Sequence, residues 1–142
     1  MTWRPRNETE EDLKNETEAA HKVANRFNCV VTKLSEALYH VDWVLSNPDG
    51  SIRAVGEYKR RKNPMAQYPT LLLSAAKWKA GMDWAEMFGV PFILFVEWDE
   101  GLFYLKAERS SVVRMSVGGN ARGQNGDCEP LVHLNIANFV KV

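Results

Sequence analysis

The chain has 142 residues, 45% hydrophobic and 25% charged, with acids and bases in equal number. A chain of that size and balance is expected to form one globular domain that buries roughly two-thirds of its unfolded surface, and no apolar run approaches the ~18 residues of a membrane span. Met1 to Glu8 lack the apolar stretch of a signal peptide, and Cys29 and Cys128 show no metal-ligand spacing, so a cytoplasmic protein with reduced thiols is expected.

Zero net charge alone argues against a nucleic-acid partner, but the charge is unevenly spread. Residues 1–18 hold six acids and three bases, leaving 15 bases against 12 acids in the remainder. The densest basic run is Lys59-Arg60-Arg61-Lys62.

In chain order, residues 1–8 read as a loose arm. Thr9 with Asp12 forms a helix-start signal, and Leu13, Ala20, Val23, Ala24 and Phe27 recur at helical spacing to about Asn28. Glu16 falls inside that apolar arc. Either a positive group meets it, or it sits at a partly exposed helix end. Cys29 to Leu34 reads as a first strand, followed by strands Tyr39 to Ser46 and Ser51 to Arg60 around Asn47-Pro48-Asp49-Gly50. Pro second and Gly fourth favour a type I turn, so these two strands are expected to form a hairpin. His40, Asp42 and Val44 then share one face, and Val55, Glu57 and Lys59 share a face of the partner strand. A four-residue loop sets Asp42 opposite Val55, with Glu57 its diagonal neighbour.

Beyond the break at Asn63-Pro64, Pro69 is expected to open a helix over 69–88. Its core stripe is Leu72, Ala76, Ala80, Trp84 and Met87, and Ser74 and Lys77 lie one turn apart. Leu71, Trp78, Met82 and Ala85 form an apolar outer face, read as plain surface or as a homodimer contact. Val90 to Trp98 is a continuous apolar run typical of a strand covered on both sides, and Leu102 to Ala107 is a further strand. Ser110 to Val117 is a strand or an extended loop. The glycine-rich stretch 118–129, with Arg122, reads as a flexible loop, a mobile connection in preference to a DNA clamp. Leu131 to Ile136 is a final strand, with Phe139 and Val140 anchoring the end. His21, His40 and His133 show no ligand spacing, and the five tryptophans read as core and interface.

An Asp on one strand facing Glu-x-Lys on the next has a specific chemical use. Mg²⁺ prefers hard oxygen ligands, usually one or two carboxylates with waters and phosphate oxygens. Asp42 and Glu57 supply carboxylates, and the Tyr58 carbonyl adds an oxygen. Such a metal activates water and acts as a Lewis acid on phosphate. Lys59, two residues on and on the same face as Glu57, can orient the water or neutralise developing charge. The triplet alone is weak, because Asp12-Leu13-Lys14 has the same form. Pro48-Asp49 is turn chemistry.

With these residues in this order, residues 10–108 resemble the PD-(D/E)XK, or restriction-endonuclease-like, nuclease superfamily, and Tyr68 to Pro91 is similar to small phage-encoded nucleases of that group. The resemblance implies an α/β fold: a mixed central β-sheet flanked by helices, built on an αβββαβ core with extra C-terminal strands. It implies hydrolysis of DNA dependent on Mg²⁺ or Mn²⁺, in phage replication, recombination or host DNA processing, with RNA as substrate left open. Asp42, Glu57 and Lys59 match the catalytic core, and Glu16 matches the auxiliary acid of the first helix. Ser74 and Lys77 fall where substrate-contacting polar residues occur, and Arg60, Arg61 and Lys62 become candidate phosphate contacts. Val41 stands where the motif has Pro, and the chain from about Arg109 matches no shared core. The alternative is a catalytically inactive module on the same fold that binds nucleic acid or a protein.

Overall fold

The computed structural model describes residues 9–119 and 128–142. Helix α1 (Glu10–Phe27) begins as the sequence dictates. Thr9 Oγ1 accepts from the Asp12 amide at 3.0 Å, and Asp12 Oδ2 accepts from the Thr9 amide at 3.2 Å. Such a reciprocal cap contributes about 1 kcal/mol. The helix ends at Asn28 in the left-handed region and buries Glu16, Ala19 and Val23. Leu13, expected in the stripe, is 41% exposed.

Next come β1 (Val30–Lys33), the single-turn helix α2 (Glu36–Tyr39), β2 (Trp43–Ser46) and β3 (Ile52–Arg60). They are followed by β4 (Thr70–Ser74), α3 (Ala75–Phe88), β5 (Phe92–Trp98), β6 (Gly101–Lys106), β7 (Val112–Gly119), β8 (Cys128–Asn135) and β9 (Val140–Lys141). Among the described residues one sheet has the order β1-β2-β3-β5-β6-β9 and a second the order β4-β8-β7. All neighbours are antiparallel except β3 and β5, which run parallel. A parallel pair needs a crossover, and the chain from β4 through α3 supplies it. This is the expected mixed sheet with flanking helices. The order α1-β1-β2-β3-α3-β5 has α2 and β4 inserted, with β6 to β9 as the additional C-terminal strands.

The large sheet is covered on both faces. Ala19 and Val23 of α1 pack with Trp43, Leu45, Ala54, Phe95 and Leu102 on one. On the other, Val55, Leu94 and Val96 meet Trp78 of α3 and Leu71, Leu73, Val132 and Leu134 of the small sheet. Leu94, Phe95 and Val96 are fully buried, as expected of a strand covered on both sides. No described helix is long and apolar enough to cross a membrane.

Several expectations need correction. Tyr39 to Ser46 is not one strand: α2 ends at His40 in the left-handed region, and the strand begins at Trp43. The exposed His40 is therefore a helix terminus, not a neighbour of Asp42 on a strand face. The helix expected over 69–88 begins only at Ala75, because Thr70 to Ser74 pair with Leu131 to Asn135 of β8. Its faces change accordingly. Leu71 and Trp78, expected on an outer face as plain surface or a homodimer contact, are core, and Met82 and Ala85 pack against that core. Leu72 and Met87, assigned to the core stripe, are 41% and 74% exposed. Gly81 decides the packing of α3. A Cβ there would fall 2.3 Å from the Phe92 ring, so only glycine lets the helix seat this close to β5. Of the stretch Ser110 to Val117, Ser110 and Ser111 form a 3-10 turn and strand β7 starts at Val112, and the last long strand starts at Cys128 instead of Leu131. Within the stretch 118–129, Gly118, Gly119, Cys128 and Glu129 pair in the β7–β8 ladder. Arg122 and the arm 1–8 lie outside the described residues.

Candidate active site

The hairpin that carries Asp42 and Glu57 turns where expected but pairs differently. The Gly50 amide donates to the Asn47 carbonyl at 2.9 Å, with Gly50 at φ +90°. Asp49 Oδ1 accepts from the amide and hydroxyl of Ser51, the turn role expected of Pro48-Asp49. The Asn47 amide then donates to the Ser51 carbonyl, and Arg53 bulges out between Ile52, paired with Ser46, and Ala54, paired with Leu45. Trp43 consequently faces Gly56, and the same register carries Asp42 directly opposite Glu57, not Val55. The two carboxylates stay on one face because the shift is two residues; a one-residue slip would have separated them. Arg53 also donates to the Phe27 carbonyl at 2.8 Å, tying the bulge to the end of α1.

The Asp42 amide donates to the Gly56 carbonyl at 3.2 Å, and Asp42 Oδ2 accepts from the Tyr58 amide at 3.0 Å. In a strand the carbonyl lies on the same side as its residue's amide, so Tyr58 C=O points to the Asp42 side of β3. The Tyr58 ring lies on the α1 side of the sheet, stacked on Trp43, with its hydroxyl donating to Glu97 at 2.8 Å.

Glu57 is only 1% exposed, and neither carboxylate oxygen has a hydrogen-bond partner. Lys77 Nζ and Lys59 Nζ approach Oε1 to 3.2 and 3.7 Å, in neither case with hydrogen-bond geometry. Burial first, and the adjacent Asp42 carboxylate second, push the Glu57 carboxyl from 4.5 up to about 8, against the opposing Lys59 charge. A buried carboxylate without donors is costly unless a cation or proton meets it. One oxygen each from Glu36, Asp42 and Glu57 lie within 4.8 Å of one another. Ligand oxygens around Mg²⁺ lie up to about 4.2 Å apart and around Ca²⁺ up to about 5 Å. The three carboxylates therefore fit a hard divalent cation, after a small contraction in the case of Mg²⁺.

These groups open into a cavity of about 300 Å³ at the carboxyl end of β3. Glu16, Asp42, Glu57, Tyr58, Lys59, Arg60, Arg61 and Lys77 all line it, so eight of the ten residues singled out from the sequence converge. Lys62 and Ser74 do not line it. Lys62 is exposed, and Ser74 precedes α3 with its hydroxyl 3.5 Å from Glu129. Glu16 is 7% exposed and fully engaged: Trp43 Nε1 donates to Oε2 and Lys33 Nζ to Oε1, each at 2.9 Å. Arg60 is exposed at the cavity mouth, whereas Arg61 turns inward and donates to the Leu72 carbonyl at 3.0 Å. Lys77 sits inside the acidic cluster, ion-paired with Glu36 as well as near Glu57.

Glu36 is the site residue that sequence reasoning missed. A signal existed in Ser35-Glu36, a helix-start pair six residues before Asp42. Reading a strand from Tyr39 hid it.

A family model described as "Phage putative PDDEXK endonuclease" matches residues 2–142. No curated protein matches the chain. Among solved structures, similarity extends to Hjc from Archaeoglobus fulgidus, a Holliday junction resolvase from an archaeal hyperthermophile. It is 17% identical over 90% of this chain and 96% of that chain, with a TM-score of 0.48, too distant a likeness to carry over any property of the site.

Proposed function

Because this chain belongs to the phage PDDEXK endonuclease family, we propose that it is a divalent-metal-dependent nuclease that hydrolyses phosphodiester bonds of DNA at the Asp42–Glu57–Lys59 cluster. The observation that carries this reading is Glu57: a buried carboxylate without a hydrogen bond, beside Asp42, at the floor of an open cavity. Asp42 and Glu57, with the Tyr58 carbonyl and Glu36, are the groups to hold Mg²⁺ or Mn²⁺. When bound, that cation supplies a Lewis acid for the phosphate and lowers the pKa of water.

The remaining chemistry belongs to the chain's own residues. Lys59, with its side chain 27% exposed at the cavity wall, orients the attacking water and neutralises charge that develops on the phosphate. Arg60 at the mouth contacts a backbone phosphate. Asp42 is fixed by the Tyr58 amide, and Glu16 is a positioning residue whose bonds to Trp43 and Lys33 hold α1 and β2 against the site. Cleavage in a phage replication, recombination or host DNA-processing step suits the family's phage origin.

One observation favours a second reading, a binding module without catalysis. Lys77 places an ammonium beside Glu36 and Glu57, where the metal would lie. Incubation with plasmid, linear and branched DNA and with RNA, in Mg²⁺, Mn²⁺ or EDTA, separates the two. Metal-dependent DNA cleavage that is lost in Asp42→Asn and Lys59→Ala supports the nuclease; cleavage unchanged in both, or salt-sensitive binding with no cleavage under any metal, overturns it.

A further inference from the structure

A second cleft, of about 400 Å³, adjoins the acidic cavity. The two share Arg61 as a common wall. The acidic cavity lies at the carboxyl end of β3, and the second cleft reaches from Arg61 just beyond it to Trp98 at the carboxyl end of the parallel β5, the side on which α/β sheets characteristically receive ligands. Unlike the acidic cavity, this cleft has a largely apolar wall. Trp98, 5% exposed, forms part of its floor, held edge-on by Phe103 and Phe139. The Tyr68 ring stands at the rim, 58% exposed, and Leu72, 41% exposed, presents its side chain within the same concavity.

The polar groups around this wall carry no acid. Arg61, Thr70, Arg114 and His133 line the cleft. Arg61 is held in place by its bond to the Leu72 carbonyl, and His133 is bracketed by Ser116 Oγ at 2.6 Å and Thr70 Oγ1 at 3.4 Å. An apolar slot with an exposed aromatic ring and cationic edges suits a flat, uncharged heteroaromatic ring attached to an anion. Bases out of the duplex stack are bound in this manner, by aromatic faces and a few polar edges. A phosphate at the acidic cavity would lie on one side of Arg61 and its neighbouring base on the other.

We infer that the Tyr68–Trp98–Arg114 cleft receives an unstacked nucleobase adjoining the phosphate held at the Asp42–Glu57 cavity, so that this protein selects DNA with an unpaired base near the cut. The inference rests on the proposed nuclease reading for its substrate, but not on catalysis itself. A duplex with a single-base bulge binds more tightly than the same duplex fully paired. Loss of the ring in Tyr68→Ala lowers that ratio by about tenfold, the scale of one base–aromatic stack; Tyr68→Phe retains it.

The test measures binding of both duplexes by fluorescence anisotropy in Ca²⁺, and cleavage of both in Mg²⁺, for the wild type and the two Tyr68 variants. A bulge preference that disappears in Tyr68→Ala and persists in Tyr68→Phe supports the cleft, even if neither duplex is cleaved, a result that would fail the nuclease reading alone. Equal binding and cleavage of bulged and paired DNA overturn the cleft and leave the nuclease standing. A preference equal in all three proteins, or no DNA binding at all, also overturns it.

Discussion

Glu16 and Glu57 are both buried carboxylates lining one cavity, yet their surroundings are opposite. Each oxygen of Glu16 accepts a hydrogen bond, from the Trp43 indole and the Lys33 ammonium. Neither oxygen of Glu57 accepts one, and its carboxyl is pushed up to about 8. The difference follows from position. Glu16 extends from α1 over the edge formed by β1 and β2, where donors point outward. Glu57 extends from the middle of the sheet toward Asp42 and Glu36, among carboxylates and two ammonium groups, Lys77 and Lys59, that approach Oε1 without hydrogen-bond geometry. A buried acid with its donors in place holds structure together; one without them is costly unless a cation or a proton meets it.

Removing the charged neighbours of Glu57, Asp42 and Lys59, has the largest expected effect. Asp42→Asn and Lys59→Ala each lower the DNA cleavage rate by at least about 100-fold, as expected when charge stabilisation at the reacting phosphate is lost; circular dichroism confirms that the variants fold. Next, metal-free protein loses stability as pH rises. The folded state keeps the Glu57 proton up to about 8, while the unfolded chain releases it near 4.5. The folded form thus binds more protons between those values, and stability declines across this window at roughly 1.4 kcal/mol per pH unit, a few kcal/mol in all. Melting in EDTA at pH 5 and pH 8 measures the slope, and Glu57→Gln flattens it. Asp12 and Asp49, both held below 3.8, titrate outside this window.

The satisfied acid behaves otherwise. Glu16→Ala strands the Trp43 indole N–H in a buried site and costs about 1–3 kcal/mol in urea unfolding. Glu16→Gln, which keeps an acceptor for that group, costs less, and both lower cleavage less than Asp42→Asn. The smallest effect lies at the rim. Arg60→Ala weakens DNA binding by the loss of one phosphate contact and reduces the slope of log K against log salt by about 0.9.

What the sequence made legible was periodic or local. The capping box at Thr9 and Asp12 and the turn at 47–50 depend on spacings within a few residues, the shared face of Asp42, Glu57 and Lys59 on strand period two carried across that turn, and each is present. Glu16 was placed inside an apolar arc by helical period alone, and it is buried there. What stayed hidden depended on distant partners. Thr70 to Ser74 satisfies a helical pattern as well as a strand pattern, and pairing with β8 some 60 residues later decides the matter. That single choice reverses the faces of the following helix, so Trp78, which a helix from Pro69 sets on the outer face, lies in the core. The turn closes one residue later than a four-residue loop implies and the Arg53 bulge adds one more, and neither marks the hydrophobic pattern, so the register differs by two while the face is the same. Glu36 and the inward position of Lys77 depend on α2 and α3 meeting across the site, a contact that no spacing encodes.

Divalent-ion titration calorimetry tests most directly whether the donor-poor acid is a metal ligand. Mn²⁺ titrated into the wild type, Glu57→Gln and Glu16→Gln at pH 7 and pH 8 should give binding in the wild type that is tighter at pH 8, as a proton leaves Glu57. Binding should vanish in Glu57→Gln and persist in Glu16→Gln. Binding of equal strength in Glu57→Gln, or no binding in the wild type, would contradict the account.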